Sequence, residues 1–201
     1  YAMTLAEFDN EIRTRFPIIA GVDEAGRGPL AGDVYAAAVI LPSDLIIEGI
    51  NDSKKLSPKK REKLYDEIIE KAEAFCIASA SVEEIEKLNI LNADMLAMKR
   101  AVEGLKRNVD IVLVDGNKAP DVAFKTCPVI KGDASSQSIA AASILAKVAR
   151  DRYMLELDKQ YPEYQFSKHK GYGTKLHYEM IKKYGISKVH RPSFLKNLNE
   201  K

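Results

Sequence analysis

Cysteine is scarce in this chain. Cys76 and Cys127 are the only two, far apart and in no CxxC pair, which argues against a disulfide scaffold and a thiolate zinc site. Histidine is almost as rare, with residues 169, 177 and 190 spread out and no HExxH pattern, so nothing points to zinc. Long apolar runs are missing too. The longest, Val34 to Leu41, has eight residues, whereas a membrane-spanning helix needs roughly 20. No basic stretch followed by an apolar one opens the sequence, which argues against a secretory signal. The Walker ending GK[ST] and the GxGxxG pattern are absent, as are internal repeats and low-complexity stretches. A cytoplasmic protein with no membrane partner is the expectation.

What is present is enough apolar material for a core. The 201 residues are 46% hydrophobic, which excludes a disordered chain and fits one domain, with room for a small appendage. The 31 Lys/Arg and 29 Asp/Glu nearly cancel, but they are unevenly spread. Residues 165–201 hold nine Lys/Arg and two acids, and all three histidines. The basic tail suggests a polyanionic partner, although a solvated Lys-rich surface has the same composition.

Periodicity places the elements. A short amphipathic helix is expected over 4–16. Ile18 to Val22 reads as a buried strand stopping at Asp23-Glu24, and Val34 to Leu41 as a second strand closed by Pro42. Ser57-Pro58 caps a helix to about Ala72. Phe75–Ala80 is a third strand, followed by helices over Val82–Leu88 and Leu91–Arg107. Ile111–Val114 is a fourth strand, and Val129-Ile130 is the centre of a short fifth, ending at Gly132-Asp133. A long helix runs from about Ser135 to Gln160, and a last one lies near Leu176–Tyr184. The mixture predicts an α/β fold around a mixed sheet.

The acids carry the most information. Two strongly apolar strands run into carboxylates, Val22 into Asp23-Glu24 and Val114 into Asp115, and function gathers at strand ends in α/β sheets. Asp115-Gly116 is also a common turn pair. In the long helix, Ile144, Val148, Asp151 and Leu155 share one face, which places Asp151 on an apolar stripe. The alternatives for Asp151 are an exposed acid or an i, i+4 pair with Lys147. If these acids converge, the site suits a hard divalent cation such as Mg2+ or Mn2+. Two such ions can promote phosphodiester hydrolysis.

The segment GVDEAGRGPLAG (21–32) resembles the bacterial ribonuclease HII family, the type 2 ribonucleases H. Further motifs follow in the family's order: NDSKKLS (51–57), VDGN (114–117), KGDASSQSIAAASILAKVARDRYM (131–154), GYGT (171–174) and HRPSF (190–194). The resemblance implies a ribonuclease H-like fold, with a mixed sheet of about five strands flanked by helices. It implies a catalytic body over 1–164 and a basic, mostly helical extension over 165–201, packed as one unit. It assigns the metal and catalytic acids to Asp23, Glu24, Asp115 and Asp151, leaving Asp133 a supporting role. It assigns ribonucleotide recognition to the Gly26-Arg27-Gly28 turn and to Tyr172. Lys54, Ser143 and Lys147 match phosphate contacts. His190 and Arg191 fall in a motif that either contacts phosphate or is structural.

The activity implied is metal-dependent endonucleolytic cleavage of RNA in RNA/DNA hybrids. It includes nicking 5′ of single ribonucleotides in duplex DNA, with Mg2+ or Mn2+, two ions with substrate, and no obligate protein partner. Two other classes compete. A nucleotide-binding phosphotransferase would use GRGPLAG as its phosphate loop and would turn over ATP without nucleic acid. A non-catalytic hybrid-binding module would be indifferent to Asp115→Asn.

Overall fold

The computed structural model describes residues 2–198. Five strands form one sheet: β1 (Ile19–Ala25), β2 (Val34–Ile40), β3 (Ala74–Ala80), β4 (Ile111–Asp115) and β5 (Thr126–Val129), in the spatial order β3-β2-β1-β4-β5. β1 to β3 form an antiparallel meander, while β4 pairs parallel with β1 and β5 parallel with β4. The C-terminal ends of β1, β4 and β5 therefore share one edge of the sheet.

Helices cover both faces. α1 (Leu5–Arg13), α2 (Pro58–Lys71) and α5 (Gln137–Gln160) lie on one face, and α3 (Val82–Leu88) and α4 (Ile90–Gly104) on the other. The alternation along each strand feeds the two cores. Ala20, Val22, Ala36, Ala38, Val112 and Val114 pack against Ala93, Ala97, Met98, Ala101 and Val102 of α4. Ala37, Val39 and Leu41 pack against Leu64 and Ile68 of α2 and Ala141, Ile144 and Leu145 of α5. α6 (Phe166–His169), α7 (Lys175–Tyr184) and a 3-10 turn at Pro192–Leu195 follow α5, and Ile181 and Leu195 close over Leu30. Among the described residues no helix is long and apolar enough to cross a membrane.

The capping signals behave as their chemistry requires. Ser57 accepts from the Lys60 N–H ahead of Pro58, and Ser81 and Glu84 form a reciprocal capping box. Ser136 caps α5 and donates 2.6 Å to Asp9, whose other oxygen takes the Ser138 N–H and hydroxyl. α1 thus pins the start of the long helix. Just beyond, α5 meets β1 at Gly21, where a Cβ would sit 2.2 Å from the Ser138 carbonyl carbon. A glycine there is a packing requirement.

Several boundaries differ from expectation. β1 does not stop at the acids. It runs through Asp23 and Glu24 to Ala25 because Ala37, Ala36 and Tyr35 of β2 pair with them. α4 ends at Gly104 rather than Arg107, with Lys106 in the left-handed region at φ 53°. β5 precedes the expected centre, spanning Thr126–Val129. The apolar stripe on α5 stops at Val148: Asp151 is half-buried and Leu155 is exposed. A 24-residue helix is about 36 Å long, whereas a seven-residue strand such as β1 spans about 24 Å. The last turns of α5 therefore overhang the sheet.

Candidate active site

At the shared strand edge the acids meet. Register places Val22 beside Val114, so Asp23 and Asp115 come next on neighbouring strands, with side chains on the α5 face. β5 delivers a third. Past Val129 the chain makes a 3-10 turn at Gly132–Ala134, and the Asp133 N–H donates 3.1 Å to Asp115 Oδ1. Carboxylate oxygens of Asp23, Asp115 and Asp133 lie within 4.8 Å of one another. No ion pair to any of the three occurs among the described residues.

This crowding has an electrostatic signature. Burial, then the charges of Glu24 and Asp115, raise the Asp23 carboxyl well above the ordinary carboxylate range. Burial and then Asp115 push Asp133 up to about 6. An excess of negative charge on hard oxygen donors fits a divalent cation of the Mg2+ or Mn2+ kind.

Glu24 lies on the opposite strand face and does not join this trio. It reaches toward Arg27, whose Nη1 is 3.9 Å away, and Arg27 Nε is 3.7 Å from the buried Asp94 on α4. Burial and then Glu24 push Asp94 up to about 8, and its Oδ1 has no hydrogen-bond partner among the described residues. Nothing in the sequence pattern separated Asp94 from an ordinary helix residue.

Asp151 requires a correction. It makes a 3.0 Å ion pair with Lys147 and lies 4.0 Å from Arg61. It neither joins the trio nor lines the cavity beside it. The i, i+4 pairing with Lys147 is what the helix adopts. Asp133 occupies the place in the acid cluster expected of Asp151. The strand-end rule that selected Asp23 and Asp115 selects Asp133 equally, since the fifth strand also runs into an acid.

The cavity has a volume of about 440 Å³ and gathers most of the remaining expected residues: Glu24, Gly26, Arg27, Gly28, Lys54, Ser143, Lys147 and Tyr172. Ser143 donates 2.9 Å to the Ser53 hydroxyl and accepts the Ser53 N–H, tying the Lys54 turn to α5. The Tyr172 ring is 38% exposed, with Lys147 Nζ 5.6 Å and the Arg150 guanidinium 5.7 Å from its centroid.

His190 and Arg191 are both fully buried, which excludes phosphate contact and leaves the structural role. Arg191 directs four N–H bonds at carbonyls of the 26–32 turn: Gly26 at 2.7 Å, Arg27 at 3.1 Å, Pro29 at 2.9 Å and Gly32 at 2.8 Å. Arg150 likewise donates to Ala31, Asp33 and Lys170. Two buried guanidiniums thus hold the outline of the Gly-Arg-Gly turn from inside. His169 and His177 are buried as well, so none of the three histidines is a surface group.

The sequence profile described as ribonuclease HII matches residues 20–197. The chain belongs to the ribonuclease HII family. A ribonuclease HII from Caldicellulosiruptor bescii is 58% identical over 183 residues, 91% of this chain and 89% of the relative. One from Coxiella burnetii is 58% identical over 177 residues, 88% of each. The crystal structure of ribonuclease H2 from Pyrococcus horikoshii superposes with a TM-score of 0.75 at 26% identity, covering 91% of this chain and 97% of that one. The chain is therefore a ribonuclease H, an endonuclease of RNA paired with DNA.

Proposed function

We propose that this ribonuclease HII chain cuts on the 5′ side of a ribonucleotide, both in RNA/DNA hybrids and at single ribonucleotides embedded in duplex DNA. The products are a 3′-hydroxyl and a 5′-phosphate. One observation carries the reading: Asp23, Asp115 and Asp133 converge beside a cavity that also holds the Gly-Arg-Gly turn and Tyr172.

Asp23, Asp115 and Asp133, with Glu24 on the cavity wall, would hold Mg2+ or Mn2+, two ions once substrate is present. Bound there, the cations supply an activated water and neutralise charge at the phosphate. The chain's own groups do the rest. Gly28 has open space where a side chain would stand, so its backbone is free to approach a ribose 2′-hydroxyl. The Tyr172 ring offers a face for the next sugar and a hydroxyl for the same 2′-OH. Lys54, Ser143 and Lys147 meet the flanking phosphates, with Asp151 holding Lys147 in position. The exposed Lys168, Lys175, Lys182, Lys183, Lys188 and Lys196 make residues 165–201 a basic extension that grips the duplex, so affinity falls with salt. Packed on the catalytic body of 1–164, the extension forms one structural unit with it. The reading needs no obligate protein partner and places the enzyme in the cytoplasm.

The test is a DNA duplex with one ribonucleotide, incubated with and without chelator, with the nicked bond mapped. Metal-dependent cleavage 5′ of the ribonucleotide is expected. Chelator-resistant cleavage, or a nick on the other side, overturns the reading.

A further inference from the structure

Three buried histidines surround the backbone that presents Tyr172, and their hydrogen bonds fix every proton. Two backbone N–H groups, which can only donate, set the pattern. The Ser187 N–H lies 3.0 Å from His190 Nδ1, so that nitrogen accepts and a neutral His190 carries its proton on Nε2. His190 Nε2 is 2.9 Å from His177 Nε2, which must then accept. The His177 proton is left on Nδ1, and Nδ1 is 2.9 Å from the Tyr172 carbonyl. By the same logic, the Gly171 N–H donates 3.0 Å to His169 Nδ1, and His169 Nε2–H donates 2.7 Å to the Tyr164 carbonyl.

The rings cannot readily turn out of this arrangement. His177 stacks on His169 with centroids 4.0 Å apart and planes 12° from parallel, and it meets the edge of Phe166 at 5.7 Å. Burial, reinforced by the neighbouring rings, holds His177 down to about 4 and His190 to about 3. The chain of bonds is therefore neutral near pH 7. It starts in the C-terminal segment at Ser187 and ends on the peptide of a cavity-lining side chain.

We propose that His177 is a positioning residue for Tyr172: its Nδ1–H, oriented by His190 and Ser187, fixes the Tyr172 carbonyl and hence the angle at which the ring enters the cavity. The inference rests on the reading of Tyr172 as a ribonucleotide sensor.

The experiment is a double-mutant cycle on the single-ribonucleotide duplex, read as the single-turnover cleavage rate at saturating substrate. His177→Asn keeps an amide donor where Nδ1 stands, and His177→Gln keeps only the contact toward His190. His177→Gln is expected to slow cleavage about 3- to 10-fold, the worth of one hydrogen bond, with His177→Asn restoring most of the rate. In a Tyr172→Ala background, His177→Gln should add nothing, because the group it positions is gone. A full additional loss there means a general structural role and overturns the proposal, while leaving the Tyr172 reading intact. If Tyr172→Ala alone leaves the rate unchanged, the sensor reading falls and takes this proposal with it. Should His177→Gln not fold, nitrogen-15 NMR of the wild-type imidazoles decides the matter. An Nδ1–H tautomer at His177 supports the proposal, and an Nε2–H tautomer refutes it.

Discussion

Replacing Arg191 with methionine removes the donors that organise the Gly-Arg-Gly turn while keeping most of the side-chain volume. Four carbonyls, of Gly26, Arg27, Pro29 and Gly32, then face a buried apolar chain. Each hydrogen bond to a charged donor is worth about 1.5–3 kcal/mol, but the guanidinium's own desolvation offsets much of that sum. Burial, then the charge of Arg150, depress Arg191 to about 9, so it still carries its charge at pH 7. Each buried carbonyl left without a donor costs about 1–3 kcal/mol, so after that offset the net loss for the four is about 3–5 kcal/mol. At about 2–4 °C per kcal/mol for a chain of this size, the melting temperature of Arg191→Met should fall by about 6–20 °C. Arg191→Lys keeps the charge but loses the planar fork, and should fall between the two. The assay is thermal unfolding followed by circular dichroism at pH 7, with cleavage measured well below both midpoints. A change of less than about 2 °C for Arg191→Met would show that solvent or backbone rearrangement satisfies these carbonyls, and the internal-scaffold account would be wrong.

Asp133→Asn should abolish cleavage of a ribonucleotide-containing duplex, whereas Asp151→Asn should only weaken it by loosening Lys147; parallel rate measurements decide, and equal losses would restore Asp151 to the metal site. Asp23→Asn should be inactive yet more stable than the parent in chelator at pH 8. The folded carboxyl of Asp23 is raised, so its stabilising contribution is complete only below the unfolded value near 4 and is lost as pH rises; a higher thermal midpoint than the parent's is expected, and a lower one would contradict it. His177 and His190 act in the opposite sense: both folded values lie below the ordinary 6.5, so the unfolded chain binds more protons and stability drops as pH falls from 6.5 toward 4. His190→Gln should lose less stability than the parent between pH 7 and 5, by up to about 2 kcal/mol. The buried acids oppose this trend in both proteins and cancel in the comparison of thermal midpoints.

Much of the architecture was readable from pattern alone. β-branched runs between turn residues marked the strands, and Ser-Pro and Ser-x-x-Glu marked helix starts. Where the expectations failed, tertiary context decided. β1 continues through two acids because a neighbouring strand pairs with them, and no local signal records that partner. Asp151 followed the helical period onto an apolar face, but there it is half-buried and paired with Lys147, with Arg61 of α2 beside it. Asp133 stood at a strand end in plain sight and lost its place to the helix argument. His190 and Arg191 are polar by composition, and only their position inside the tail–body junction shows them to be core residues.

The contact between β1 and α5 at Gly21 works as a fulcrum. Lys147 stands nine residues beyond Ser138 on the same helix, about 13 Å along its axis. A methyl group wedged in at position 21 would tilt the helix, and about 4° of tilt would swing Lys147 by about 1 Å. Misplacement on that scale can cost an enzyme about a hundredfold in rate. The alignment of Lys147 with the strand-borne acids is thus set by the absence of a single carbon atom, in a buried part of the sheet.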